Sequence, residues 1–552
     1  MLAGAVCAGG LSAEEKVAVW KGNGVADRHT AWIEPLNWVG SVVPGRYFGT
    51  DDEGNAVTNG THGWTARFDR PDGNWICEFN GTLASVSNVV FSGDNATTHL
   101  GSGASHQLKL EEGGGLYVEE SCRIVPTIEA SIGCADDRRA GGNGVYVIRN
   151  DSPHGELFVK GGFCKFTLPD GVSWDYPTMQ MEGKGVIRLG AGFSGNTRFR
   201  TYMNVAMDEG GRLIVTNTII NFTRLHVPAG MPKQYVQIEP NSMLSPNAQA
   251  NQQQLRAFSD LEISGEGTFS ISTTTGFLYV DKGVTVDIKT PIVQHDTTDS
   301  ATFSVRGGGT MRITGRNDVP QDLAVYDGTT FETSLIGMAG EAGELGRGSA
   351  VRFYNGGILR YTGAGETTDR GLVLLSGQGN VVQAGTGPLT VSGGISASKS
   401  GTTLVLSNDT EFPMTLSGTV AAANNPAIRK TGSGEVVLSG SNLSSGGITA
   451  EAGTLTVASP AALPKLTVSG SVVLKVAEGV EATVDLTYSS GSLDVRIGNG
   501  AKFKASGMSG LAPDWLTVNG ATAKFSSGTP NAARYSVTAV SSERPASKIS
   551  FL

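Results

Sequence analysis

The 552-residue chain carries 42 basic and 51 acidic residues, a formal net charge of -9, and no basic run, which removes nucleic acid from the expected partners. No stretch approaches the roughly 18 to 20 continuous apolar residues of a membrane helix. Glycine, at 77 residues, is about twice its usual share of roughly 7%. Without a collagen period, that count fits many short strands joined by turns at positive φ. Hydrophobic residues at 39% and charged residues at 17% fit a thin core under a surface rich in Ser, Thr and Asn. A chain this long would form several compact domains unless it grows along one axis, as a solenoid does.

Residues 1–16 open with MLAGAVCAGGLSA, small apolar residues before a possible cleavage point at Ala13, and read as the remnant of an export signal lacking its basic start. Cys7 lacks the small residue expected before a lipidated cysteine. Residues 17–100 hold five of the seven tryptophans, Trp20, Trp32, Trp38, Trp64 and Trp75. Large aromatics there would close the open end of the first coil, forming a cap. The sharper alternative is an aromatic platform for stacking carbohydrate. Residues 101–227 read as irregular coils, with Gly-led strands such as Gly115–Val118 and Gly185–Leu189. The Pro-, Asn- and Gln-rich stretch 228–258 reads as a loop insertion or soft boundary with a short helix near Ala248–Phe258. Regular coils follow over 259–512, with a second small helix near Leu335–Gly346, and 513–552 forms a cap or tail.

The clearest pattern lies between Ala427 and Lys475. Short apolar alternations (Val436/Leu438, Leu455/Val457, Leu466/Val468, Val472/Leu474) are divided by Gly, Ser and Asn, so each run presents one buried face. None can bury that face alone, so the units must stack. Lys430, Gly432, Gly434, Val436, Leu438, Ser439, Gly440, Asn442, Gly446, Gly447, Gly453, Thr454 and Leu455 together resemble the autotransporter-associated β-strand repeat. The chain departs from that pattern at Leu443-Ser444-Ser445, where members carry Thr-Tyr-Thr. The opening Trp20-Lys21-Gly22, Trp32, Asn37-Trp38, Gly40 and Val43-Pro44-Gly45 also resembles the start of many proteins carrying this repeat. The resemblance implies an all-β, right-handed parallel β-solenoid (β-helix) with an N-terminal Trp-rich cap, exported to a bacterial surface. A translocating barrel would need many further amphipathic strands of about 9 to 11 residues. The expected anchor or secretion partner is therefore separate.

Chemistry is sparse. The cysteines Cys77, Cys122, Cys134 and Cys164 fit no zinc spacing; Cys77 reads as a buried small hydrophobe, and Cys122 could staple to Cys134 in an oxidising compartment. No GxSxG elbow, phosphate loop or calcium nonapeptide is present. The segment with a catalytic flavour carries Asp281, Lys282, Asp287, Lys289, His295, Asp296, Asp299, Arg306 and Arg312, and Asp260, Asp281 and Arg306 come closest to one position per coil. Carboxylates and cations side by side on one sheet would suit a polysaccharide lyase or hydrolase. The plainer reading makes them outer-face and turn residues. The expectation is thus an exported structural or adhesin-like scaffold with no catalytic residue, no metal and no cofactor. Its partners would be glycans or other cell-surface proteins. The alternatives are a β-helix polysaccharide lyase or hydrolase, and a carbohydrate-binding protein using the N-terminal tryptophans.

Overall fold

The structure is a computed structural model. It describes residues 16–22, 29–32, 35–50, 56–59, 63–71, 76–78, 83–101, 107–134, 145–161, 178–190, 202–246, 253–271, 276–294, 303–508, 516–518, 521–522, 535–540 and 549–551. The chain divides into two units, Met1–Gln249 with Gln253–Ser272, and Ala250–Gln252 with Thr273–Leu552. Both are parallel β-solenoids, as expected.

In the first unit one sheet stacks Thr178–Gly183, Tyr202–Met207, Arg224–Val227 and Gln253–Ala257, with Met179, Met203, Leu225 and Leu255 in register. A second sheet aligns Leu157, Ile187, Leu213, Val236 and Ile263, all buried. A third aligns Ile220, Leu244 and Phe269. Like side chains therefore stack on like, coil above coil at about 4.8 Å. At the N-terminal end Lys16–Val19 pairs in parallel with Trp64–Phe68, which pairs with Leu83–Phe91, while Arg46–Thr50 runs antiparallel beside the last of these.

The expected aromatic cap is present. Trp38 meets Trp20 and Trp32 edge to face, each at 5.0 Å between ring centroids, and Phe68 lies beneath all three. Trp38 Nε1 donates to the Trp32 carbonyl at 2.7 Å. These three indoles are fully buried, so their faces are closed to a stacking sugar. Trp75 lies outside the described residues.

The second unit repeats the plan. Leu278, Val305, Val325, Phe353, Leu374 and Ala397 align on one sheet. Leu389, Met414, Val436, Leu455, Leu474 and Val495 align on another, all buried. Near the chain's end Lys502–Met508 pairs antiparallel with Tyr535–Val540, which pairs antiparallel with Ile549–Phe551.

The repeat motif has a local physical basis. Lys430 stands in an inward ladder between Leu406 and Ala450 and is fully buried. Its Nζ donates to the carbonyls of Thr431, Gly432 and Ala452. Gly432 and Gly453 both have positive φ, and a Cβ would lie 2.4 Å from the Asn408 carbonyl at the first and 2.5 Å from the Ser433 carbonyl at the second. No larger residue fits either turn.

A second device sits at corners of the coils. Asn95, Asn150, Asn408 and Asn442 each accept the main-chain N–H two residues on, at 2.9 to 3.1 Å. The first three also donate Nδ2 to a carbonyl of the following coil, at Ile124, Val186 and Glu435 respectively. Each is followed two residues later by Ser or Thr, so the triplet Asn-x-Ser/Thr marks a locked corner here.

Four expectations are corrected in whole or in part. The helix near Ala248–Phe258 is absent among the described residues; Gln253–Ala257 is a strand. The surrounding 228–258 is not a loop insertion, since Gln234–Ile238 and Met243–Pro246 are strands of the coils too, while the other reading, a soft boundary, agrees with the division of the units near Gln249–Gln253. Polar residues misled because some work inside: buried Gln234 donates to the carbonyls of Met207 and Pro232 and accepts from Met207 N. The helix near Leu335–Gly346 is instead an irregular loop. Finally, Cys122 is a free buried thiol, so the staple to Cys134 is not formed. Cys134 pairs beside Leu110 on the long strand Gln107–Val118, whereas Cys122 lies past that strand's far end, at another corner. Burial pushes the Cys122 thiol up to about 11. Cys77 is buried, as its alternation implied.

Candidate functional site

The charged segment singled out from sequence is divided between two sheets. Asp287 lies beside Arg312 on one, where the register continues to Glu332 and Arg360. Glu332 accepts from Arg312 Nε at 2.7 Å and from Arg360 Nη1 at 2.5 Å, and Lys289 Nζ lies 3.7 Å from Asp287. Charges alternate up this outer face, one per coil. Arg306 is on the other sheet, its guanidinium between the rings of Phe277 (4.4 Å) and Tyr326 (4.1 Å). Tyr326 in turn stacks on Tyr354 at 4.0 Å and 7°. Burial, then the Tyr354 hydroxyl, push the Tyr326 phenol up to about 12. Asp281 sits at the turn between the sheets and accepts from the Tyr279 hydroxyl at 3.1 Å. Asp281, Asp287 and Arg306 therefore do not converge on one face. Lys282 is a turn residue, Asp260 is exposed in the first unit, and His295, Asp296 and Asp299 lie outside the described residues.

One loop stands out for its ordering. Residues 334–348 leave the sheet and are tied down almost entirely through their backbone. Arg370, fully buried, donates to the carbonyls of Ile336, Gly337, Met338, Glu341, Gly346 and Gly348. Glu344 accepts from Ser334 N and Leu335 N, Glu366 from Ile336 N and Gly337 N, and Asp369 from Ala339 N. Ile336 and Leu345 turn inward, while Leu335 (47% exposed) and Met338 (37%) point out. Sequence reasoning missed this clamp. Its signal was the run Glu366-x-x-Asp369-Arg370, polar where a plain coil would be apolar.

The outer faces of the first unit carry two contrasting arginine arrangements. Arg149 reaches Asp151 (2.6 Å), Glu182 (3.1 Å) and Asp208 (2.8 Å), carboxylates drawn from several coils. Arg188 joins Glu156 at 2.6 Å and Glu239 at 2.7 Å. Further along the same sheet as Arg149, the composition reverses. Arg224 packs over Tyr202 at 4.7 Å and donates Nε to the Gln253 carbonyl, and Arg256 packs over Phe258 at 4.5 Å. His226 lies in register between Asn204 and Arg256 and meets Phe258 edge to face at 5.7 Å. Burial, then the charges of Arg256 and Arg224, pull His226 down to about 4, so it is neutral at physiological pH.

Among the described residues no group of three or more His, Cys, Asp and Glu side chains is placed to hold a metal ion, and no helix is long and apolar enough to cross a membrane. The second statement does not bear on β-barrel spans.

Stacked parallel coils with long polar outer faces define the class as a parallel β-solenoid, and part of its sequence is similar to an autotransporter adhesin. The comparison that supports this is with the adhesin BmaC autotransporter of Brucella suis biovar 1 (strain 1330), to which the chain is 31% identical over 141 residues. Those residues are 25% of this chain and 4% of that relative, so the chain spans a small fraction of the relative's length. No protein-family model matches the chain, and no solved structure matches it.

Proposed function

We propose that this chain is part of an exported, surface-located adhesin-like scaffold that acts by contact and has no chemistry of its own. The observation that carries the reading is the similarity to an autotransporter adhesin in a chain whose fold is a stack of parallel coils. The rest of the architecture suits the role. Coils extend reach at low cost in core, since each contacts only its neighbours. Outer faces of alternating charge keep long parallel sheets soluble, although each exposed pair is worth only about 0 to 1 kcal/mol. The clamped loop 334–348 offers a pre-ordered contact that loses little entropy on binding. Partners in this reading are glycans or proteins of another cell's surface, and export and anchoring fall to a separate translocator.

The test is adhesion of beads coated with the purified chain to epithelial monolayers, against beads coated with serum albumin. Specific, saturable attachment that soluble chain competes away is expected. Attachment no greater than albumin's would contradict the reading. Release of reducing ends or unsaturated sugars from pectate, alginate or mucin would contradict the absence of catalysis.

A further inference from the structure

We propose that the face of the first unit carrying Arg224, His226 and Arg256 binds an anionic saccharide, with a carboxylate or sulfate group seated between the two guanidinium groups. The proposal rests on the adhesin-like reading and gives it a site and a ligand class.

Four observations converge. First, the two arginines lie on successive coils: Leu225 pairs with Leu255 and His226 with Arg256, so Arg224 and Arg256 are diagonal neighbours about 7 to 8 Å apart at the backbone. Two planar forks at that separation can both reach one carboxylate or sulfate, the geometry in which arginine outperforms lysine.

Second, Arg256 is held but not neutralised. In a chain of net charge -9, six outward arginines, Arg149, Arg188, Arg312, Arg347, Arg352 and Arg360, reach carboxylates, whereas Arg306, held between two rings, does not. Arg256 reaches none among the described residues. It lies on the Phe258 ring, and its buried Nε has no hydrogen-bond partner. A buried donor without a partner is costly, and an anionic ligand or water reaching that atom would recover the cost.

Third, the surroundings suit a sugar rather than a bare ion. Tyr202 and Phe258 each have one face against a guanidinium and supply apolar ring surface beside it, while Asn204 and neutral His226 add polar groups between them. Strips that mix aromatic and hydrogen-bonding groups match the alternating C–H and hydroxyl faces of a pyranose.

Fourth, charge is arranged to orient the ligand. The acids nearest along the same sheet, Glu182 and Asp208, are already engaged by Arg149. An anionic chain is drawn to the Arg224 and Arg256 end of the face and repelled from the other.

The experiment titrates the full chain with a heparin octasaccharide (sulfate and carboxylate), a hyaluronan octasaccharide (carboxylate only), maltooctaose (neutral) and a single-stranded oligonucleotide, each at two salt concentrations. At least one anionic saccharide is expected to bind, more weakly at higher salt, with maltooctaose at least tenfold weaker. The double variant Arg224→Gln/Arg256→Gln should lose at least tenfold in affinity while its circular dichroism and thermal midpoint stay at wild-type values. Arg312→Gln/Arg360→Gln, on the charge ladder of the second unit, should bind as wild type. If the Arg224/Arg256 variant fails to fold, Arg256→Gln alone carries the test. No binding of either anionic saccharide, equal binding of maltooctaose, tighter binding of the oligonucleotide, or a folded variant within twofold of wild type overturns the proposal. Bead adhesion read in parallel separates the two claims. Adhesion without saccharide binding removes this site and leaves the adhesin reading; saccharide binding without adhesion does the reverse.

Discussion

Single buried polar residues decide how the coils close. Lys430 occupies a place where its ladder neighbours Leu406 and Ala450 are apolar, and it belongs there because its ammonium satisfies three turn carbonyls that no apolar side chain could reach. Lys430→Met keeps the stem and removes the donors, so it should destabilise by about 2 kcal/mol in urea unfolding at pH 7. Burial pulls the Lys430 pKa from 10.5 down to about 8. Between pH 8 and 10.5 the unfolded chain therefore binds more protons than the folded one, and the wild type gains stability with rising pH across that window. The gap between wild type and Lys430→Met should widen from pH 8 to 10.5; a gap that narrows would show that the amine is not buried as described. Asn408 makes the complementary case, donating to the carbonyls of Phe412 and Glu435 and accepting from Thr410 N. Asn408→Ala should cost about 3 kcal/mol. Asn408→Asp should cost more, because a carboxylate would face two carbonyl oxygens. An aspartate variant as stable as wild type would contradict the corner lock.

At the scale of elements, the strands were legible in the sequence and the irregular segments were not. Val436, Leu438, Leu455 and Val457 are buried as their alternation requires, because a period of two leaves one face for the core. The Trp-rich start was legible as an aromatic cluster, and Trp20, Trp32 and Trp38 are fully buried there. Two helices were misassigned, at Ala248–Phe258 and Leu335–Gly346; in the second, Glu344 binds the backbone N–H groups of Ser334 and Leu335, which composition alone does not distinguish from exposure to solvent. The strip of Arg224, His226 and Arg256 was invisible for a different reason. Arg256 lies about 30 residues from Arg224 and His226 in sequence and meets them only through the register of the coils. The loop 334–348 depends on Arg370, so Arg370→Met should release it: amide exchange over 335–347 should speed up at least tenfold, while the ladder of Met414, Val436 and Leu455 keeps its protection. Unchanged exchange in the loop would mean the acids alone hold it.

For the whole molecule, a solenoid core is thin and each coil leans on its neighbours. Leu455 is buried in register between Val436 and Leu474. Leu455→Asp places an unpaired charge there and should unfold the adjoining coils, seen as a loss of the 218 nm band and protease sensitivity around 430–480. The central claim, parallel coils in register, is tested most directly by spin-label distances along one outward row. Thr390, Thr415, Val437, Thr456, Lys475 and Arg496 succeed one another in register within the second unit. Labels at 390 and 456 should lie about 14 Å apart and labels at 390 and 496 about 24 Å, three and five steps of about 4.8 Å. Distances that grow in those equal steps bear out the stack. Distances that do not scale with the number of coils crossed, as in an antiparallel sandwich, contradict it.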